Sequence, residues 1–155
     1  MTRTIREATP EDVDRIVTIG AELHAEGNYK GLPFVPERAA HTMRTLIEND
    51  AGIVLVLDVD GVIVGGIAGM CVQHWFTDAK VACDVSFFIL PEHRGSIAAA
   101  RLLRQFVSWG KAQGAARIEI GITTDIHQER TAAFYERMGF SHKGLQFFMG
   151  VCDGD

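Results

Sequence analysis

The chain has 155 residues, 47% of them apolar, and its 20 acidic and 15 basic residues give a net charge of −5. This length suits a single domain with a buried core over residues 1–155, and the charge excludes the basic surface that binding to nucleic acid requires. Apolar stretches are too short to span a membrane, and three cysteines without CxxC spacing argue against a disulfide framework. We therefore expect a cytoplasmic protein.

The first half of the sequence predicts a strand, two helices and a β-hairpin. Thr9-Pro10-Glu11-Asp12 is a typical helix start, with a capping hydroxyl, Pro at the first helical position and acids in the first turn. Asp58-Val59-Asp60-Gly61 is a hairpin signal between two apolar runs. The predicted elements are a strand over residues 5–8, a helix over 9–26, a loop over 27–36, a helix over 37–49, and strands over 52–57 and 62–72.

The second half predicts alternating strands and helices. Pro91 ends an apolar β-rich run, and Gly114 and Gly139 each follow a segment with helical spacing. The mixture indicates an α+β fold with an antiparallel N-terminal half and a β-α-β crossover in the C-terminal half. The predicted elements are strands over residues 81–90, 118–123 and 145–151 and helices over 96–113 and 129–138.

The segment over residues 87–103 is the most informative part of the sequence. A buried strand runs through a short turn into a helix that begins with small residues, and the N–H groups at a helix start attract phosphate oxygens. Arg94 adds a positive charge at the edge of this phosphate-binding turn. An ordinary strand-to-helix turn would explain these residues equally well. The small side chains that would let a pyrophosphate approach the backbone belong to Gly95, Ser96, Ala98, Ala99 and Ala100.

This segment resembles motif A of the GNAT superfamily of N-acetyltransferases, Gln/Arg-x-x-Gly-x-Gly/Ala. Arg94, Ile97 and Ala99 stand at the three signature positions, so Ile97 replaces a glycine. Residues 132–140 are similar to a second family motif, A-x-x-F-Y-x-x-x-G-F, and Gln128 stands where many members have Asn. The resemblance implies a mostly antiparallel, twisted sheet of six to seven strands flanked by about four helices.

The resemblance also implies acetyl-CoA as co-substrate. The strand before motif A would pair with the pantetheine arm, and a backbone N–H near Ile89 would stabilise the oxyanion of the tetrahedral intermediate. The N–H groups from Arg94 to Ala100 would hold the pyrophosphate. The cofactor-binding residues implied in this way are Phe88, Ile89, Leu90, Arg94, Gly95, Ser96, Ile97, Ala98, Ala99, Ala100, Gln128 and Phe134.

Two residues are candidates for proton transfer. Tyr135 matches the family position that often protonates the departing thiolate, although a packed helix Tyr would also fit. Asp84 is an acid inside an apolar run, where a carboxylate is costly unless it is paired or functional, and is therefore the candidate base. A hydrogen-bonded strand acid is the alternative, and a water could also relay the proton. Weaker candidate bases are Glu22, His24, Glu26 and His127.

Other features carry less weight. If the turn between strands is centred near Thr77, Cys71 faces Cys83 with His74 close by, but the spacing matches no common zinc pattern, so we expect no metal. Residues 28–34 are aromatic and apolar enough to cover part of a pocket, or to form a packed loop. Trp75-Phe76 would line a substrate opening or close the end of the core.

Together these features predict an acyl-CoA-dependent N-acyltransferase that acetylates a primary amine on a small molecule or peptide by direct transfer. One alternative is transfer of a longer acyl group. A different class of function is a non-catalytic CoA-binding or interaction module, which stays open because Ile97 departs from the motif. The absence of a GxxxxGK[ST] run argues against a nucleotide-binding module. We expect neither nucleic acid nor membrane as a partner, and a homodimer is compatible with this prediction.

Overall fold

In the part of the chain that the structure describes, five strands and four helices follow one another largely in the order that the sequence predicts. The computed structural model describes residues 1–29, 31–95, 97–122 and 127–151. Within them, no helix is long and apolar enough to cross a membrane. The elements are β1 (Arg3–Glu7), α1 (Val13–Glu26), α2 (Pro36–Glu48), β2 (Gly52–Val59), β3 (Val62–Gln73), β4 (Lys80–Ile89), α3 (Ile97–Ala112), β5 (Ala115–Glu119) and α4 (Gln128–Arg137).

Local sequence signals account for two of the connections. A 3₁₀ turn, Pro10–Asp12, leads into α1, and the Asp12 carboxylate accepts the Thr9 N–H at 2.8 Å. In the turn between β2 and β3, Asp60 and Gly61 both have positive φ, 52° and 87°, as a two-residue hairpin turn requires. The Gly61 N–H donates to the Asp58 carboxylate at 2.7 Å. The predicted hairpin is confirmed.

The strands form one sheet in the order β1-β2-β3-β4-β5. The first four strands are antiparallel, whereas β5 runs parallel to β4 after the α3 crossover, which confirms the predicted division of the chain. Two apolar clusters cover the two faces of the sheet. One contains Phe106 of α3 and Tyr135 of α4, and the other contains Ile16 and Ile19 of α1. The fold is therefore α+β with a mixed sheet.

β4 and β5 separate partway along their length. Their parallel pairing covers only Lys80–Cys83 of β4 and ends at Glu119 of β5. The rest of β4, from Asp84 to Ile89, keeps a strand partner on its other side, β3. Since paired strands lie ~4.8 Å apart, the end of this pairing opens a gap beside the second half of β4.

A β-bulge in β4 sets the direction of the side chains beside this gap. Ala68 pairs with Ser86 and Gly69 with Asp84, so Val85 has no partner on β3. A Cβ on Gly69 would contact the Phe106 ring of α3. Because directly paired residues point to the same face, Asp84 also lies on the α3–α4 face of the sheet. Phe87 packs against the same face, three residues further on. The bulge thus puts Asp84 and Phe87 on one face although strict alternation would separate them.

The last predicted strand, over residues 145–151, is wrong. Residues 141–151 form neither strand nor helix, and the apolar side chains of Leu145, Phe147, Phe148, Met149 and Val151 are exposed. The sheet therefore has five strands rather than six or seven. Alternating apolar residues favour a strand only where a neighbouring edge and an apolar face receive them, and this segment meets neither in the structure.

Two smaller predictions also need correction. β5 begins directly after Gly114, whose φ of +83° ends α3, and so it starts three residues earlier than predicted. Trp75 and Phe76, in the β3–β4 turn, are 95% and 68% exposed, so they do not close the end of the core.

Gly69 gives a test of the packing between β3, β4 and α3. A Cβ at this position would overlap the Phe106 ring and lie 2.7 Å from the Cys83 carbonyl oxygen. We expect Gly69→Val to lower the free energy of unfolding by about 3 kcal/mol, because neither neighbour can move away without disturbing the core. Gly144→Val is the control, since nothing lies within 4 Å of its added Cβ. Urea denaturation of both variants measures the difference, and equal midpoints would contradict this packing.

Candidate active site

A cleft of about 1260 Å³ fills the gap between β4 and β5 and reaches both faces of the sheet. On the α3–α4 face it is lined by the turn after β4 and by α4, and on the other face by α1, α2 and their connecting loop. The second half of β4, Asp84–Ile89, forms its central wall. We call these two parts the α3–α4 half and the α1–α2 half of the cleft.

The turn after β4, which the sequence analysis predicts to be an anion site, leads through a glycine into α3. Gly95 has a φ of +73°, in the left-handed region that glycine favours, and α3 begins two residues later. Ala98 is buried in the core, while Ala99 and Ala100 line the cleft. Ile97 is 70% exposed and also lines the cleft, so its side chain lies beside the helix start. Ser96 lies outside the described residues.

Arg94 is held by two other parts of the chain. Its Nε donates to the Ile89 carbonyl oxygen at 2.9 Å, and its two terminal nitrogens donate to both carboxylate oxygens of Glu26, at 2.7 and 3.0 Å. This bidentate pair joins the last residue of α1 to the turn. Arg94, which the sequence analysis predicts at the edge of the anion site, therefore connects the two halves of the cleft through its ion pair with Glu26.

The backbone of β4 presents alternate residues to the gap. The Leu90 N–H donates to the Val64 carbonyl of β3 at 2.9 Å, so its hydrogen bond points away from the cleft. Because an antiparallel strand directs its residues alternately to either side, the N–H and C=O of Ile89 point toward the gap. Phe88 points its side chain into the α1–α2 core cluster. Of the three predicted pantetheine contacts, Ile89 is the one whose backbone faces the cleft.

Asp84 stands where β4 leaves β5. Burial raises the pKa of its carboxyl to about 6, because the charged form loses hydration there. The Gly121 N–H donates to Asp84 Oδ1 at 3.2 Å, and this hydrogen bond lowers the pKa of the carboxyl and so offsets part of the effect of burial. A carboxylate that ionises near pH 6 beside a cleft is suited to accept a proton at neutral pH.

Tyr135 lies on α4, across the gap from Asp84. Its ring packs in the core between Phe134 and Phe140, and its hydroxyl donates to the Gly121 carbonyl oxygen at 3.4 Å. Burial, and then the nearby Asp84 charge, raise the pKa of the phenol, so it keeps its proton throughout the neutral range. Gly121 thus contacts the candidate base through its N–H and the candidate acid through its carbonyl.

The four weaker candidate bases differ in position. The pair with Arg94 holds the pKa of Glu26 below its ordinary value, which makes it a poor proton acceptor. Glu22 is exposed and is not among the cleft-lining residues. His24 and His127 both line the cleft, and His24 Nε2 lies 2.7 Å from the Leu32 carbonyl oxygen.

α4 contributes more to the cleft than the sequence analysis proposed. Phe134 lines it as expected, whereas Gln128 is exposed and its neighbours His127 and Arg130 line the cleft instead. The additional arginines could have been identified from the sequence, because residues three or four positions away from a predicted site residue lie on the same face of its helix. The cleft-lining arginines that the sequence analysis did not include are Arg104, Arg130 and Arg137.

The cysteines considered as metal ligands lie on opposite faces of the sheet. Cys71 pairs with Ala82 and Cys83 with Met70, so the register differs by one residue from the expected alignment. Adjacent positions in a strand point to opposite faces, which separates the two thiols. Among the residues that the structure describes, no three His, Cys, Asp or Glu side chains gather closely enough to hold a metal ion.

Comparisons with known proteins agree with this geometry. The sequence profile described as the acetyltransferase (GNAT) family matches residues 22–140. No curated protein matches the sequence. Solved structures give matches over nearly the whole chain, at identities that show the fold alone.

Three of these structures illustrate the similarity. Glucosamine-6-phosphate N-acetyltransferase from Arabidopsis thaliana superposes with a TM-score of 0.75 at 15% identity, covering 98% of this chain and 100% of the other. An aminoglycoside acetyltransferase from an uncultured soil metagenomic sample gives 0.72 at 24% identity, with 98% and 100% covered. A predicted acetyltransferase from Clostridium acetobutylicum, solved with acetyl-CoA, gives 0.79 at 13% identity, with 96% of each chain covered.

The matched segment contains β4, the turn after it, α3 and α4, which build the α3–α4 half of the cleft. It spans well over half of the chain, and the sheet and helices follow the same fold as the solved acetyltransferases. This protein belongs to the GNAT family of acetyltransferases.

Proposed function

We propose that this protein transfers an acetyl group from acetyl-CoA to a primary amine by direct attack within a ternary complex. The observation that carries the proposal is the meeting of Asp84 and Tyr135 at Gly121, in the same cleft that the turn before α3 lines. The turn fits a pyrophosphate, since its helix start offers N–H groups and its small side chains leave them accessible. Arg104 and Arg130 would add positive charge to this half.

Each group has a role that follows from its position. Acetyl-CoA supplies an activated thioester. Asp84, directly or through a water, takes the proton that the attacking ammonium must lose, because a protonated amine has no lone pair. The Ile89 N–H stabilises the negative oxygen while the new N–C bond forms and the C–S bond breaks. Tyr135 then gives its proton to the departing thiolate.

The cofactor site is tested by thermal melting. We expect CoA and acetyl-CoA to raise the melting temperature through preferential binding to the native state, while ATP and NAD do not. Ala99→Glu puts bulk and negative charge on the cleft wall beside the turn, so the CoA-induced shift should disappear while the fold survives. Gln105→Glu, on the exposed side of α3, is the matched control and should keep the shift. Equal stabilisation by ATP would contradict an acyl-CoA site.

Asp84→Asn tests the base through stability as well as rate. The folded protein binds this proton more tightly than the unfolded chain, with a pKa of about 6 against 3.8. Ionisation of Asp84 therefore destabilises the fold progressively as pH rises from about 4 to about 7. The asparagine variant avoids this loss and should be more stable than the parent by about 3 kcal/mol at pH 8, and equal to it near pH 3.

The same variant should lose about 10²–10⁴-fold in kcat if Asp84 removes the proton. Asp78→Asn, at an exposed site, is the control for loss of one negative charge. Denaturation curves across pH and steady-state rates give the two readouts. A variant that is stabilised but fully active would show that Asp84 is buried without being the base.

Tyr135→Phe tests the acid. The substitution removes one hydroxyl and one hydrogen bond to Gly121 while the ring keeps its place in the core. We expect kcat to fall by about 10²–10⁴-fold with CoA binding unchanged, because the thiolate would leave without a proton. Thr18→Val, which removes an exposed hydroxyl of α1 that donates to the Asp14 carbonyl oxygen, is the control and should leave kcat unaltered. Unchanged turnover of Tyr135→Phe on the best acceptor would return this residue to a packing role.

A further inference from the structure

The α1–α2 half of the cleft is mainly apolar. Its described lining includes side chains from α1, α2 and the loop between them, with Phe88 of β4 as the floor. Several of these side chains are only partly buried, so an occupant would remove further apolar surface from water. The principal members are Ile16, Val17, Leu23, Tyr29, Phe34 and Met43.

The aromatic wall of this half is held in place. Phe34 lies over Gly20 of α1, where an added Cβ would come 3.3 Å from its ring. His24 packs against the same ring at a centroid distance of 5.6 Å, and its Nε2 lies 2.7 Å from the Leu32 carbonyl oxygen. These contacts fold the loop back on α1, so Phe34 is a preformed surface of the cleft.

The α1–α2 half of the cleft contains little negative charge. Asp84 is the one carboxylate among the described cleft-lining residues, and it stands at the junction of the two halves. The carboxylate of Glu26, nearby at the end of α1, is neutralised by Arg94. The other charged side chains that line the cleft belong to arginines on the α3–α4 side. Among the described lining residues, a substrate with several ammonium groups would find no second carboxylate for its additional charges.

Building on the proposed function, we propose that the acceptor is a monoamine with an apolar body, a single amino group at the end of an alkyl chain or ring. The amine would reach Asp84 at the junction while the body packs against Phe34 and Met43. A second ammonium in this half would lose its hydration without gaining a carboxylate, which costs more than an apolar body gains. Polyamines and aminoglycosides are therefore disfavoured.

Three simple amines separate charge from apolar surface. Hexylamine and 1,6-diaminohexane have the same length and differ by one amino group, while ethylamine lacks most of the apolar body. We expect kcat/KM for hexylamine to exceed that of each of the others by at least about tenfold, measured by thiol release from acetyl-CoA. A higher value for 1,6-diaminohexane, or equal values for hexylamine and ethylamine, would overturn the inference and leave the acetyltransferase proposal intact.

Three variants test where the acceptor binds. Met43→Glu places a carboxylate inside the α1–α2 half and should shift the preference toward 1,6-diaminohexane by at least about tenfold. His41→Glu adds the same group to the exposed side of α2 and should leave the preference unchanged. Phe34→Ala should raise KM for hexylamine while the CoA-induced melting shift stays normal, because Phe34 lies outside the cofactor turn. A preference unmoved by Met43→Glu would contradict this placement of the acceptor.

A protein that releases no thiol with any amine is still informative. If CoA fails to shift its melting temperature, the proposed function is wrong. If CoA binds without turnover, the acceptor inference is tested by the melting temperature of the CoA-saturated protein with each amine. Stabilisation by hexylamine but not by 1,6-diaminohexane supports the apolar acceptor site, and equal or reversed effects overturn it.

Discussion

The separation of β4 from β5 is the constraint on which the site depends. Parallel pairing stops at Cys83, and from there the second half of β4 has a strand partner only in β3. A strand cannot leave its backbone groups buried and unpaired, so the freed edge must meet water, a side chain or a bound molecule, as the Ile89 carbonyl meets Arg94. The cleft, the direction of the Ile89 backbone groups and the position of Asp84 at the point of divergence all follow from this one interruption of the sheet. A fully paired sheet from the same elements would have no active site.

Gly121 shows how the far side of the gap completes the chemistry. It lies just beyond β5, where the strand no longer pairs with β4, and its two backbone groups contact Asp84 and Tyr135. Burial raises the pKa values of both side chains, so the phenol keeps its proton while the carboxyl ionises near pH 6. The Asp84 charge raises the pKa of Tyr135 further, so the groups proposed as base and acid ionise in different pH ranges. The fold accepts an unfavourable buried carboxylate in return for this arrangement.

Local signals in the sequence were sufficient for all but one of the predicted helices and strands and for the position of the turn after Pro91, since a proline, a glycine and a run of small residues act within a few positions. They were insufficient where distant parts of the chain meet. The face of Asp84 depends on the bulge at Val85, which arises from the pairing of β3 with β4. The pair between Glu26 and Arg94 joins residues 68 positions apart, and no spacing rule predicts it. The expected strand over residues 145–151 failed for a related reason, because an alternating pattern does not specify its partner.

The ion pair between Glu26 and Arg94 also connects the two halves of the cleft. Arg94 has its Nε on the Ile89 carbonyl and both terminal nitrogens on Glu26. A guanidinium has a fixed set of five donors, so an anion in the turn must share Arg94 with Glu26 or displace it. Either outcome acts on the end of α1, immediately before the loop that carries Phe34. The residues proposed to recognise a cofactor and those proposed to surround an acceptor are thus connected by one ion pair, although they lie on opposite faces of the sheet.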